Sequence, residues 1–328
     1  MTILDEKLKK KIGYGTAPLG NLFRDVPEQE AEDTVRAVWD AGIRYFDTAP
    51  FYGAGLAEER LGRVLSEKNR DDFILSTKVG RVVLDEKEDK EGLFEDGYQN
   101  KLLNEYTEDA VKRSIEQSLE RLQTDRLDIV YVHDLSPDFL GDEWITKFDE
   151  ARNGAFKALA EMRDEGVISA WGLGVNTTIP IELALELEET KPDISLQALQ
   201  YTLLQHERAL THLMPRISQQ NSRIVVGGPY NSGALLGGDH FDYAPITDDQ
   251  RKHIKQVEKI AERHGVSLKA AALQFSTANP NVSAVIPGST RPDRIQADLD
   301  ALSEHIPSAF WIDMIDEGLV SPDAPLPS

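Results

Sequence analysis

Along the 328-residue chain, short apolar runs rich in Val and Ile alternate with longer stretches in which apolar positions recur every three or four residues. The first pattern is that of buried parallel strands and the second that of helices with one apolar face. The runs predict strands over residues 12–15, 44–47, 73–78, 127–133, 170–174, 195–200, 223–227 and 284–287. The periodic stretches predict helices over 27–41, 55–66, 107–122, 156–165, 179–187, 209–220, 248–264, 268–277 and 294–302. Thr107, followed by Glu108 and Asp109, is placed to cap one of them, and Pro292 suits the first turn of another. Eight strands alternating with helices predict a single (β/α)8 barrel domain over 1–328.

A doubly wound sheet would show the same alternation, and it would normally carry a G-x-G-x-x-G turn for a dinucleotide. GYGTAPLG and GLGVNT both have the wrong spacing. Two insertions, 80–106 and 135–155, follow the carboxyl ends of the third and fourth predicted strands, where barrel enzymes grow active-site loops. Within the first, DEKEDKE reads as a solvated mixed-charge segment, and the terminal SPDAPLPS as an extended tail.

Composition narrows the function classes. Thirty-six basic against 57 acidic residues give a formal charge of −21, which opposes binding to nucleic acid or an anionic membrane. With no cysteine there is no disulfide framework, thiolate metal site or thiol nucleophile. The N-terminus has charges where a signal peptide would be apolar, and no run is long enough to span a bilayer, so a cytoplasmic protein is expected.

Three consecutive predicted strands end in an ionisable residue: Asp47, Lys78 and His133. In a barrel such ends meet on one face. A lone charge there is costly, so Asp47 and Lys78 are expected to pair. Tyr52, five residues beyond Asp47, can fold back over the pair, and an adjacent ammonium would lower its pKa. So tuned, the phenol serves as general acid or base at a carbonyl or hydroxyl oxygen, with His133 donating a hydrogen bond to the same oxygen. No G-x-S-x-G elbow supplies a nucleophile, and neither H-E-x-x-H nor a His/carboxylate cluster suggests a metal. The set suits carbonyl reduction or alcohol oxidation with an external hydride carrier. Phe51, Trp144 and the 80–106 insertion are expected to shape the substrate pocket.

The segments GYGTAPLGN, DAGIRYFDTAPFYGAGLAEERLG, STKVG, LDIVYVHD and VIPGS resemble, in order, the aldo-keto reductase superfamily. GTAPLGNLF, YTLLQHE, GGPYNSGALL and GLVSPDAPLP are similar to its branch of D-threo-aldose (L-fucose) 1-dehydrogenases and pyridoxal 4-dehydrogenases. The resemblance implies the barrel, a nicotinamide dinucleotide extended across its carboxyl-end face, and a tetrad of Asp47, Tyr52, Lys78 and His133. It implies cofactor contacts at Gly15, Thr16, Asp47 and Asn176, although the family's serine before the last is Val175, and at Gln200 as a second carboxamide. The family's aromatic-Ser-Pro reads Gly227, Gly228, Pro229, which leaves Tyr201 or Tyr230 as the aromatic for the nicotinamide. Backbone amides from Asn231 through Ser232 and Gly233 to Leu235 would cradle the pyrophosphate.

Gly288 stands where NADP-preferring relatives often carry a lysine, beside Ser289 and Arg294, and Asp298 adds negative charge. NAD is therefore expected over NADP, with Arg294 as the counterweight, and no metal. The expected substrate is a small carbonyl or hemiacetal: an L-fucose-like aldose oxidised at C1, pyridoxal, or a small aldehyde reduced with NADPH. The resemblance also includes cofactor-sensing accessory subunits of potassium channels, a different functional class. Oligomeric state is not legible.

Overall fold

The structure, a computed structural model, describes Leu8 and residues 11–327. Eight parallel strands form one sheet in sequence order: β1 (Tyr14–Gly15), β2 (Tyr45–Asp47), β3 (Ile74–Val79), β4 (Ile129–His133), β5 (Ala170–Val175), β6 (Ile194–Ala198), β7 (Arg223–Gly227) and β8 (Val282–Ile286). Isolated bridges Ile12↔Val285 and Gly15↔Gly288 join the last strand to the first and bring the sheet round into a barrel.

Side chains alternate across the strand plane, and this sets the chemistry. Tyr45, Ile74, Ile129 and Tyr131 point into the barrel with Leu196, Val225 and Ile286. Phe46, Leu75, Val130 and Val132 point outward into the layer shared with the helices. With a period of two, Asp47, Ser76, Lys78 and His133 fall on the inward phase.

The outer layer contains α1 (Glu28–Asp40), α2 (Leu56–Leu65), α3 (Glu108–Leu122), α4 (Trp144–Asn153), α5 (Ala155–Asp164), α6 (Ile179–Leu185), α7 (Met214–Gln219), α8 (Asp248–His264), α9 (Leu268–Ala278), α10 (Pro292–Ser303) and α11 (Ser308–Asp316). Thr107 caps α3 through the Ala110 amide, and Pro292 opens α10, as the sequence suggests. The predicted helix over 209–220 divides instead: a wide turn over Ala209–Leu213 precedes α7, because Pro215 has no amide to continue a regular ladder.

Both insertions are structured. The first is an antiparallel hairpin, Arg81–Lys87 with Asn100–Asn104, and the second holds a helical turn, Pro137–Leu140, followed by α4. A smaller hairpin pairs His240–Phe241 with Ala244–Pro245. The expected extended tail is docked at its start: Ala324 is buried, as are Leu319 and Val320 just before it, and the Ser321 amide donates to His206 Nε2 at 3.1 Å. Among the described residues no helix is long and apolar enough to cross a membrane.

Candidate active site

At the carboxyl end of the barrel a cavity of about 790 Å³ opens over the inward-facing strand ends. Its floor is a buried ion pair. Lys78 Nζ lies 2.7 Å from Asp47 Oδ2 and 2.7 Å from the Thr48 carbonyl oxygen, with both side chains almost fully buried. Ser76 Oγ donates to the other Asp47 oxygen at 2.7 Å. Behind it the Tyr45 hydroxyl sits 3.2 Å from Ser76 Oγ and 3.0 Å from the Tyr131 hydroxyl, so the carboxylate ends a polar chain running into the barrel. Both charged groups have strong partners, which is the condition for burying them.

Tyr52 lies over this floor, with Lys78 Nζ 4.7 Å from its ring centroid. Its loop is fixed by backbone contact: a Cβ on Gly20 would come within 2.4 Å of the Tyr52 carbonyl carbon. Gly53, at φ +66°, would put one 2.5 Å from the Gly20 carbonyl oxygen. Only glycine permits that approach at both positions. The expected depression of the phenol's pKa does not occur. Burial, then the Asp47 and Asp134 carboxylates, push Tyr52 well above the usual phenol value, against the Arg81 guanidinium. The reason is visible in the floor: Asp47 already compensates the Lys78 charge.

His133 meets Tyr52 edge-on, with ring centroids 5.8 Å apart. Burial, then the Arg81 and Lys78 cations, hold it well below the ordinary imidazole value, so it is neutral at neutral pH. The next residue, Asp134, carries a buried ion pair of its own with Arg81, from Nη1 to Oδ2 at 2.8 Å. Arg81 lies between two aromatic rings of the cavity wall, 3.9 Å from the Phe51 centroid and 4.3 Å from that of Phe139. Phe94, at the tip of the Arg81–Lys87 and Asn100–Asn104 hairpin, packs 5.0 Å from Phe51. Together with Leu22, Phe23 and Leu93 these rings make an apolar wall facing the ionisable floor.

The cavity also receives Gly15, Asn176, Gly227, Gly228, Pro229, Tyr230, Ser232, Gly233, Gly288, Ser289, Arg294 and Asp298, all anticipated from the sequence. Thr16, Gln200, Asn231, Leu235 and Trp144 do not line it. Gln200 lies past the end of β6, which stops at Ala198. The carboxamide on the strand is Gln197, whose buried Oε1 has no partner. Trp144 packs on Phe148 in α4, and Phe139 from the same insertion faces the cavity instead.

The proposed cradle is largely used up. The amides of Asn231, Gly233, Ala234 and Leu235 all bond within their own turns, and Ser232 Oγ accepts from the Tyr243 amide. Asn231 Nδ2 donates to Asp242 in the small hairpin, and Leu235 belongs to the core. Of the two tyrosines, Tyr201 stacks on Phe275 outside the cavity. Tyr230 lines it, but donates its hydroxyl hydrogen bond to Asp298, which also pairs with Lys269.

Sequence reading missed Arg81, Asp134, Lys269 and Tyr243. Tyr243 projects from the small hairpin onto the barrel's inner apolar cluster, and burial first, then its acidic neighbours Asp134 and Asp242, raise its phenol pKa against the Lys78 cation. Only the dipeptide His133-Asp134 at a strand end was a usable signal.

Groups able to hold a dinucleotide remain free. Neither the Asn176 carboxamide nor the Arg294 guanidinium makes a side-chain hydrogen bond or ion pair among the described residues, and both line the cavity. The described residues contain no group of three or more His, Asp or Glu able to hold a metal.

The profile described as "Aldo/keto reductase family" matches residues 11–317. The chain is 35% identical over 320 residues to a D-threo-aldose 1-dehydrogenase of Pseudomonas sp, covering 94% of each. It is 35% identical over 326 residues to a pyridoxal 4-dehydrogenase of Microbacterium luteolum, again covering 94% of each. A solved aldo-keto reductase of Bacillus halodurans, in its holo form, superposes with a TM-score of 0.72 at 25% identity, covering 95% of this chain and 92% of the other. On sequence and barrel alike, the chain belongs to the aldo/keto reductase family.

Proposed function

We propose that the protein is a nicotinamide-dependent dehydrogenase that oxidises C1 of an aldose, an L-fucose-like sugar in its cyclic hemiacetal form, to the lactone. The observation that carries this reading is the meeting of Asp47, Tyr52, Lys78 and His133 on the floor of one cavity, in a chain 35% identical to an aldose dehydrogenase. Bound across the carboxyl-end face, the dinucleotide would supply the hydride acceptor. Asn176, which lines the cavity, is the group to hold its carboxamide, and Arg294 with Ser289 its phosphate-bearing end. Tyr243 offers the aromatic face missing at Gly227-Gly228-Pro229.

Tyr52 takes the proton of the C1 hydroxyl. Neutral His133 hydrogen-bonds the same oxygen and orients it. The Arg81 guanidinium opposes the Asp47 and Asp134 carboxylates and so favours the phenolate that accepts this proton. Phe51, Phe94 and Phe139 cover the site and exclude water. NAD is favoured over NADP because Gly288 offers no cation for a 2′-phosphate. The Asp298 charge counts for less than the sequence suggests, since Lys269 compensates it.

The pyridoxal 4-dehydrogenase relative, at the same identity, keeps oxidation of the pyridoxal hemiacetal as the second reading. The deciding measurement is absorbance at about 340 nm with NAD or NADP against a panel of aldoses, pyridoxal and small aldehydes. Aldoses with NAD should give the highest kcat/KM. Pyridoxal turning over fastest would replace this reading with the second. Tight cofactor binding with no turnover of any substrate would favour a cofactor-sensing role over an enzyme.

A further inference from the structure

The tetrad accounts for proton transfer at one oxygen and is indifferent to the rest of the substrate. Beside it stands a second buried ion pair, Arg81–Asp134, whose side chains are 3% and 8% exposed. Such a pair is weak evidence for stability, because desolvation offsets the attraction, so its position carries more information than its energy.

Asp134 lines the cavity, and one of its oxygens is already committed. Oδ2 accepts from Arg81 Nη1, while Oδ1 has no hydrogen-bond partner among the described residues. The carboxylate cannot turn away. Arg81 is wedged between Phe51 and Phe139, and its Nε donates to Asn104 at 3.2 Å. The Asp134 backbone sits at φ +47°, a conformation few residues other than glycine adopt, with its amide bonded to the Gly174 carbonyl at 2.9 Å. Aspartate tolerates this conformation better than most residues, and the backbone bond fixes where its side chain starts. Its Oδ2 lies 3.5 Å from His133 Nε2, so the carboxylate stands about one hydroxyl away from an oxygen held by His133.

We propose that Asp134 is a specificity-determining residue: its free oxygen accepts a hydrogen bond from a hydroxyl on the carbon next to the reacting one, so that the site selects polyhydroxylated cyclic hemiacetals over substrates lacking that hydroxyl. An ionised carboxylate only accepts, and left without a donor inside the closed site it bears an uncompensated desolvation cost. That asymmetry is what makes a polar pocket reject a deoxy analogue. The inference rests on the hemiacetal dehydrogenase reading and names the feature of the substrate that reading leaves open.

The test compares kcat/KM for L-fucose and its 2-deoxy analogue in the wild type, in Asp134→Ala and in the double variant Arg81→Met/Asp134→Leu. The double variant leaves no unpaired buried charge if the single one fails to fold. The wild type should prefer the hydroxylated sugar by about 10- to 150-fold, the range of a hydrogen bond to a charged group. Both variants should bring the ratio to within about threefold, chiefly through KM, with NAD affinity by fluorescence quenching unchanged. A merely structural ion pair would lower both substrates equally. An unaltered ratio in a folded variant, or no discrimination by the wild type, overturns the proposal alone. Failure of the wild type to turn over any aldose overturns the functional reading and this proposal with it.

Discussion

Tyr52 is the residue on which the chemistry turns, and its environment makes a directional prediction. Oxidation requires Tyr52 to accept a proton as its phenolate, so a phenol held above the usual value of about 10 leaves most of the free enzyme in the unreactive, protonated form at neutral pH. The kcat/KM for oxidation should therefore rise steadily with pH and keep rising past about pH 9. His133, held well below about 6.5, should add no limb there. A pH–rate profile of NAD reduction with a limb centred near pH 6.5 would contradict this assignment. Tyr52→Phe should lower kcat by about 10²- to 10⁴-fold, with cofactor affinity within about twofold of wild type. Ordinary turnover by that variant would remove Tyr52 from its role. Asp47, Lys78 and His133 were legible because each ends an apolar run on the inward phase of a strand. Gln200 was misplaced, because the apolar run was extended to it although the strand ends at Ala198. The sign of the Tyr52 shift was equally hidden, because it depends on how much of the Lys78 charge Asp47 has already cancelled.

At the scale of elements, the loop between β1 and α1 forms one side of the cavity, and one side chain of α2 binds it at several points. Arg60, only 3% exposed, donates to the Leu19 and Val26 carbonyls, to Asn21 Oδ1 and to Glu28 Oε1. The loop's Ala17, Pro18, Leu22 and Phe23 all face the cavity. Arg60→Met would strand buried acceptors and should cost about 3–5 kcal/mol. Urea denaturation would show it as a lowered midpoint at unchanged slope, and KM for cofactor should rise with it. A change below about 1 kcal/mol would mean that water replaces the guanidinium. The barrel strands and most helices were legible from periodicity. The hairpins and α4 were not, since their apolar residues face the cavity or one another across a turn and show no sustained period. The docked tail escaped for a related reason: its anchor, His206, lies more than a hundred residues away.

For the molecule as a whole, a net charge of −21 means that folding gathers like charges together. Raising ionic strength from about 0.02 to about 0.5 M shortens the Debye length from about 20 to about 4 Å, and Tm by calorimetry should rise by a few degrees. Surface ion pairs weaken over the same range but contribute little each. A fall in Tm would show that local pairs outweigh the overall repulsion. The barrel makes such changes at the surface nearly independent of the site, and within the site the Gly20–Gly53 contact divides the parts again. Tyr52 is located by main chain pressed against main chain, which side-chain substitution nearby can hardly adjust. Phe94 and Phe139 stand on two different insertions, the hairpin after β3 and the segment after β4, and neither is located by that contact. New substrate ranges are therefore accessible by exchanging the wall while the proton-transfer machinery stays in place, and a library built for that purpose should leave both glycines untouched.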